Sequence, residues 1–206
     1  MKGDLRQLLS PRSIAIVGAS ADLGKVNGRP IANLLRDGYA GVIYPVNPAY
    51  GEVGGLKCYS DVQSLPEVPD LGVVAVAASR AAQAVEALGA KGVKFVIVWS
   101  AGFAEAGEEG RALEETLIRV ARNHGMRICG PNTLGLTNAF ERMPLTFSQY
   151  ADVPISAGPV AFVSQSGAFG TAVATSARAR GIGLGYFIST GNQADLTLAE
   201  IVAEVE

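Results

Sequence analysis

The chain has 206 residues, 49% of them hydrophobic and 17% charged, with 25 glycines and a formal net charge of −2. That composition supplies a core and excludes global disorder, and the slight acidity lacks the basic stripe of a nucleic-acid binder. Two distant cysteines, Cys58 and Cys129, and a single histidine, His124, leave almost no ligands for a structural zinc ion, so no metal is expected.

The first residues, "MKGDLRQLLSPRS", are polar and lack the apolar stretch of a signal peptide. "SIAIVG" (13–18) reads as a buried strand and residues 29–37 as a helix. "GVIYPV" (41–46) is the next strand, followed by an irregular stretch and a third strand in "DLGVVAVAA" (70–78). Residues 79–90 are Ala-rich and helical, "VKFVIVWS" (93–100) is a strand, 107–125 a long helix and "GMRICG" (125–130) a short fifth strand. Strands that alternate with helices, and are apolar throughout, imply a parallel sheet covered on both faces. After the less regular "TNAFERMPLTFSQYADVPISAGP" come a strand at 159–164, a helix at 167–181, a strand at 184–189 and helix again from 195. This second α/β unit is expected to hold two parallel strands, too few to bury much surface alone. Runs such as "FVIVW" are far shorter than the ~20 residues needed to span a bilayer. A soluble, cytoplasmic protein with reduced thiols, and with neither membrane nor nucleic acid as partner, is the expectation.

Two glycine-rich loops carry the chemistry. "VGASADLGKVNG" (17–28) follows the first strand and opens a helix, so unpaired N–H groups and the helix dipole face an anion there. Ser20 adds a hydroxyl and Lys25 a cation; a plain tight turn is the bland alternative. A site for NAD carries an acid at the end of the second strand, roughly 20 residues past the glycines. Here that position holds Val46, Asn47 and Pro48, and no G-x-x-x-x-G-K-[ST] occurs, so a different phosphorylated nucleotide is expected. In "GPVAFVSQSGAFGTA" (158–172), Ser164, Gln165, Ser166 and Gly167 sit where a helix begins. They suit phosphate binding, with a plain N-cap serine as the alternative. A serine-hydrolase elbow is excluded because residue 164 is Ser rather than Gly, and His124 sits at the end of a surface helix.

Taken together, "PRSIAIVGAS", "GVIYPVNPAYGEVGGLKCY", "SAGFAEAGEEG", "HGMRICGPNTLGLTN" and "GPVAFVSQSGAFG" resemble, in order, the nucleoside-diphosphate-forming acyl-CoA synthetases. That family includes ADP-forming acetyl-CoA synthetase and, more distantly, the succinyl-CoA synthetase alpha subunit. The resemblance covers essentially the whole chain. It implies a Rossmann-like CoA-binding domain over 1–145 and the first part of a flavodoxin-like ligase domain over 146–206. By the same resemblance Gly18, Ser20, Lys25 and Asn27 contact the phosphates of coenzyme A, and Val46, Asn47 and Pro48 line its adenosine side. Ser100, Ala101, Gly102 and Phe103 border the pantetheine arm, and Asn132 lies near the thiol. Ser164, Gln165, Ser166 and Gly167 receive the phosphate of a catalytic phosphohistidine.

Family chemistry interconverts acid, CoA and ATP with acyl-CoA, ADP and phosphate through an acyl phosphate and a phosphohistidine. An ATP-grasp domain or subunit, binding ATP or ADP with magnesium, and an acyl substrate are therefore implied partners. His124 does not match the phosphohistidine motif, so this chain alone is expected to be inactive, and no catalytic residue is assigned. A supporting glutamate of the family falls near Ala203, where Glu200 or Glu204 could compensate, and Ala77 stands where relatives often have proline. A non-catalytic CoA-binding module is the alternative function, and an NAD(P)-linked oxidoreductase a distant third.

Overall fold

In the computed structural model, which describes residues 4–205, a short helix α1 (Arg6–Leu9) precedes β1 (Ser13–Val17). There follow α2 (Arg29–Asp37), β2 (Val42–Val46), a small hairpin of β3 (Glu52–Val53) and β4 (Leu56–Lys57), and β5 (Leu71–Val74). The first unit continues through α3 (Ala78–Lys91), β6 (Phe95–Val98), α4 (Glu108–Asn123) and β7 (Arg127–Cys129). Five of these strands form one parallel sheet in the order β2-β1-β5-β6-β7. Helix α2 starts with Pro30 in its first turn and stops at Gly38, whose left-handed backbone (φ 74°) returns its N–H to Leu34 and Leu35.

Alternate residues of each strand feed opposite faces. Ile14, Ile16, Leu71, Val73 and Ile97 pack under α2 with Ile31 and Leu34, whereas Ala15, Val74, Val96, Val98 and Ile128 pack under α3 and α4 with Ala81, Val85, Leu88 and Leu117. Both faces are covered, which is why these strands are apolar without alternation.

The second sheet departs from expectation. It has four strands, not two: β8 (Gly135–Asn138), β9 (Met143–Thr146), β10 (Val160–Ser164) and β11 (Leu184–Ser189), in the order β10-β11-β8-β9. β10 and β11 are parallel, while β8 runs antiparallel to both β11 and β9. Helix α5 (Gly167–Ala179) follows β10, and α6 (Leu198–Val205) ends the described chain. β8 and β9 escape a hydrophobicity reading because buried polar side chains fill them. Asn138 donates to the Leu9 carbonyl at 2.9 Å and to Ser10 Oγ at 3.0 Å, and Thr146 Oγ1 donates to the Leu134 carbonyl at 2.6 Å. The second sheet joins the α2 face of the first: Leu136, Leu145, Ile188, Leu196 and Ile201 share one buried cluster with Ile14, Trp99 and Cys129. Among the described residues no helix is long and apolar enough to cross a membrane.

Candidate functional site

In a parallel sheet whose own strands run 2-1-3-4-5, the chain leaves the C-terminal ends of the first and third strands in opposite directions, and a crevice opens between them. A cavity of about 490 Å³ occupies that place. Val17 and Gly18 from the end of β1, Val46, Asn47 and Pro48 from the end of β2, and Ala75, Val76 and Ala77 after β5 form its floor and sides. An adjoining recess of about 350 Å³ shares Asn27, Ala75, Val76 and Ala77 and runs on to Trp99, Ser100 and Ala101 after β6.

The glycine loop is held by its own backbone and side chains. Gly18 has φ +89°, a region costly to side-chain-bearing residues, and a Cβ there would stand 2.7 Å from Val76 Cγ1 and 2.9 Å from the Ala75 carbonyl oxygen. Its N–H donates to the Val46 carbonyl at 2.8 Å, tying the ends of β1 and β2. Asn27 donates its side-chain amide to the Gly18 carbonyl, and Asn47 its amide to the Ala19 carbonyl at 2.8 Å. At Gly28 a Cβ would run into the Asp22 carbonyl oxygen, so the loop can close on itself only with glycine there.

Of the residues expected at the phosphates, Gly18 and Asn27 line the cavity, together with Val46, Asn47 and Pro48 from the adenosine side. Ser20 is 4% exposed and accepts a hydrogen bond from Asp22 N–H at 3.1 Å, so it shapes the loop from within. Lys25 lies outside both cavity linings, exposed, with Nζ 4.0 Å from Asp22 Oδ2. Ser100 and Ala101 line the adjoining recess, but Phe103 is fully buried in the core. Gly102 donates its N–H to Glu105 Oε1 at 2.6 Å. Asn132 donates to Asn192 Oδ1 at 3.2 Å, linking the loops after β7 and β11. Asn192 in turn donates to Glu105 Oε2 at 2.6 Å and Glu114 Oε2 at 2.8 Å, so the loop after β6 is braced against the second unit.

Several lining residues escaped the sequence reading. Ser60, Asp61 and Val62 arrive on a loop that pairs Tyr59 with Val46, and Arg80, Gln83, Ala84 and Ala87 arrive on α3. Lys91 Nζ fastens that loop to α3 through the Gln63 and Leu65 carbonyls, at 3.0 and 2.7 Å. Asp61 is therefore an acidic residue on the cavity's rim, although none stands at the end of β2. Hydrogen bonds from Ser60 Oγ and Ser64 N–H, both 2.8 Å, hold its carboxyl below the usual range. The signal available for Arg80 was positional: the first turn of a helix after a parallel strand opens on the ligand edge of such a sheet.

A family model described as a CoA binding domain matches residues 12–139. The chain belongs to that family. A second model, described as the succinyl-CoA ligase like flavodoxin domain, matches residues 157–206. The alpha subunit of ADP-forming acetate–CoA ligase II from Pyrococcus furiosus is 39% identical over 198 residues, covering 96% of this chain and 42% of that one. ADP-forming acetate–CoA ligase I from Archaeoglobus fulgidus is 42% identical over 192 residues, covering 93% of this chain and 27% of that one. Among solved structures, dinucleotide-forming acetyl-coenzyme A synthetase 1 of Candidatus Korarchaeum cryptofilum, in complex with phosphate and ADP, superposes with a TM-score of 0.92 at 40% identity. That match covers all of this chain and 43% of the other. The chain thus spans less than half the length of these relatives.

The crevice sets a glycine turn beside apolar walls and is continued by a recess toward β6.

The second glycine-rich loop is simpler as built. Ser166 is the N-cap of α5 and accepts from Phe169 N–H at 3.2 Å, while Ser164 Oγ donates to the Ser166 carbonyl at 3.1 Å. Gln165 is exposed, and a Cβ on Gly167 would meet the Leu134 side chain. His124 caps α4 and shares a 2.9 Å hydrogen bond with Glu86, in keeping with a surface role. Glu200 is occupied: Arg127 and Thr197 take both carboxylate oxygens. Among the described residues no cluster of His, Cys, Asp or Glu could hold a metal ion.

Proposed function

We propose that this chain binds coenzyme A in the crevice at the ends of β1, β2 and β5, as the CoA-binding portion of an ADP-forming acyl-CoA synthetase. The crevice lined by Gly18 and Asn27 carries this reading, because it lies at the switch point of a sheet in a CoA-binding-domain chain. The glycine turn would face the pyrophosphate with backbone N–H groups, and Val46, Asn47 and Pro48 would flank the adenosine. Ser100 and Ala101 would border the pantetheine arm, directing the thiol toward the loops after β7 and β11. Gly102, Phe103, Ser20 and Lys25 would act around this path without lining it, by shaping the loops.

In the full reaction, acid, CoA and ATP give acyl-CoA, ADP and phosphate, and the Ser164–Gly167 turn would offer N–H groups to a phosphoryl oxygen. The one histidine of the sequence is His124, so the phosphoryl-carrying group and the nucleotide site would come from another domain or subunit of the ATP-grasp kind. Two free, buried cysteines agree with a cytoplasmic setting. Calorimetric titration with CoA, with NAD alongside, tests the reading. Micromolar binding of CoA and none of NAD is expected; binding of NAD alone, or of neither by folded protein, would overturn it.

A further inference from the structure

We infer that Arg80 is the residue that selects coenzyme A over its dephosphorylated form, by pairing with the phosphate on the ribose 3′ position. This rests on the CoA reading of the crevice. Two observations carry it. First, Arg80 is the one cationic side chain among the described residues lining the cavity. Lys25, the cation expected from sequence, stands outside it beside Asp22. Second, Arg80 is exposed on the first turn of α3 and takes part in none of the ion pairs of the described residues, so its guanidinium is free to meet an incoming anion.

The ligand carries two anionic groups, and the walls divide between them. The Gly18 turn and Asn27 belong to the β1 side, where N–H groups suit the pyrophosphate. Arg80 and Gln83 belong to α3, facing the loop that bears Ser60 and Asp61. An adenosine flanked by Val46 and Pro48 and seated against Ala84 and Ala87 on the same helix brings its ribose to this wall. A dianionic monophosphate there finds an arginine fork, and the vicinal hydroxyl finds an acceptor in Asp61.

The test is titration of the chain and its Arg80→Ala and Arg80→Lys variants with CoA and with dephospho-CoA at one fixed salt concentration. Arg119→Ala on the α4 surface serves as a control of equal charge, and circular dichroism confirms that each variant is folded. The wild type is expected to prefer CoA. Arg80→Ala should lose roughly ten-fold or more in CoA affinity, the scale of a hydrogen bond to a charged group, and about two-fold or less for dephospho-CoA. Arg80→Lys should keep part of the preference, and Arg119→Ala all of it. Equal loss for both ligands would put Arg80 at the pyrophosphate and overturn the inference, as would no loss for either. A wild type that binds both equally well overturns it while leaving the CoA site intact. A wild type that binds neither removes the site and this inference together.

Discussion

Asn27 donates its side-chain amide to the carbonyl oxygen of Gly18 across 2.5 Å, bridging nine residues of sequence. That bond closes the glycine loop beside the crevice, while the Gly18 N–H holds the end of β2. Asn27→Ala is expected to cost about 1 kcal/mol of stability, the net value of one such bond, and to weaken CoA binding several-fold by loosening the turn. Gly18→Ala should cost about 1–3 kcal/mol, through positive φ and the close Ala75 carbonyl together. Urea midpoints and CoA titrations measure both, and a Gly18→Ala protein as stable as wild type would contradict the loop geometry.

Arg127, on β7, reaches Asp195 and Glu200 at 2.9 Å each and so ties the first sheet to α6 and the loop ahead of it. Hydrogen bonds from Thr197 N–H and then from Arg127 hold the Glu200 carboxyl down from 4.5 to about 2. A depressed folded-state value means the stabilisation is whole above the unfolded value and fades as pH falls toward the folded one. Glu200→Gln should therefore be less stable than wild type at pH 7, and the gap should close between about 4.5 and about 2. Because Glu200 is partly exposed, the gap at neutral pH is about 1 kcal/mol or less. Paired urea melts along that pH range read it, and a gap that widens in acid would reverse the assignment.

Ser166 caps α5 through a 3.2 Å bond from Phe169 N–H. Ser166→Ala should lower stability by about 1 kcal/mol, whereas Ser166→Asp, another good cap, should largely preserve it. Thermal melts of the two variants separate a capping serine from one that matters only to a ligand; equal melts for Ala and wild type would argue against the cap.

The parallel sheet was legible because β1, β5 and β6 are buried on both faces and so spell unbroken apolar runs. β8 and β9 were not, because Thr137, Asn138 and Thr146 are interior yet polar, and their partners lie far away in sequence: Leu9 and Ser10 for Asn138. Gly18 could be named from the glycine loop, whereas Asn27 and the role of the end of β2 came from the family resemblance; all of them line the one crevice. Arg80 and Asp61 could be named from neither. Arg80 sits in a helix that reads only as Ala-rich, and Asp61 reaches the crevice through the isolated pairing of Val46 with Tyr59.

β8 follows the last strand of the first sheet by a few residues, yet its neighbours in the second sheet are β9 and β11. The strand that a reader would give to one unit is thus zipped into the other. Gene rearrangement that cut between residues 139 and 157, where neither family model reaches, would leave β8 on one product and its partner β11 on the other. Trading this module intact between proteins requires the joint to fall before residue 135, or the whole stretch to travel as one inheritance.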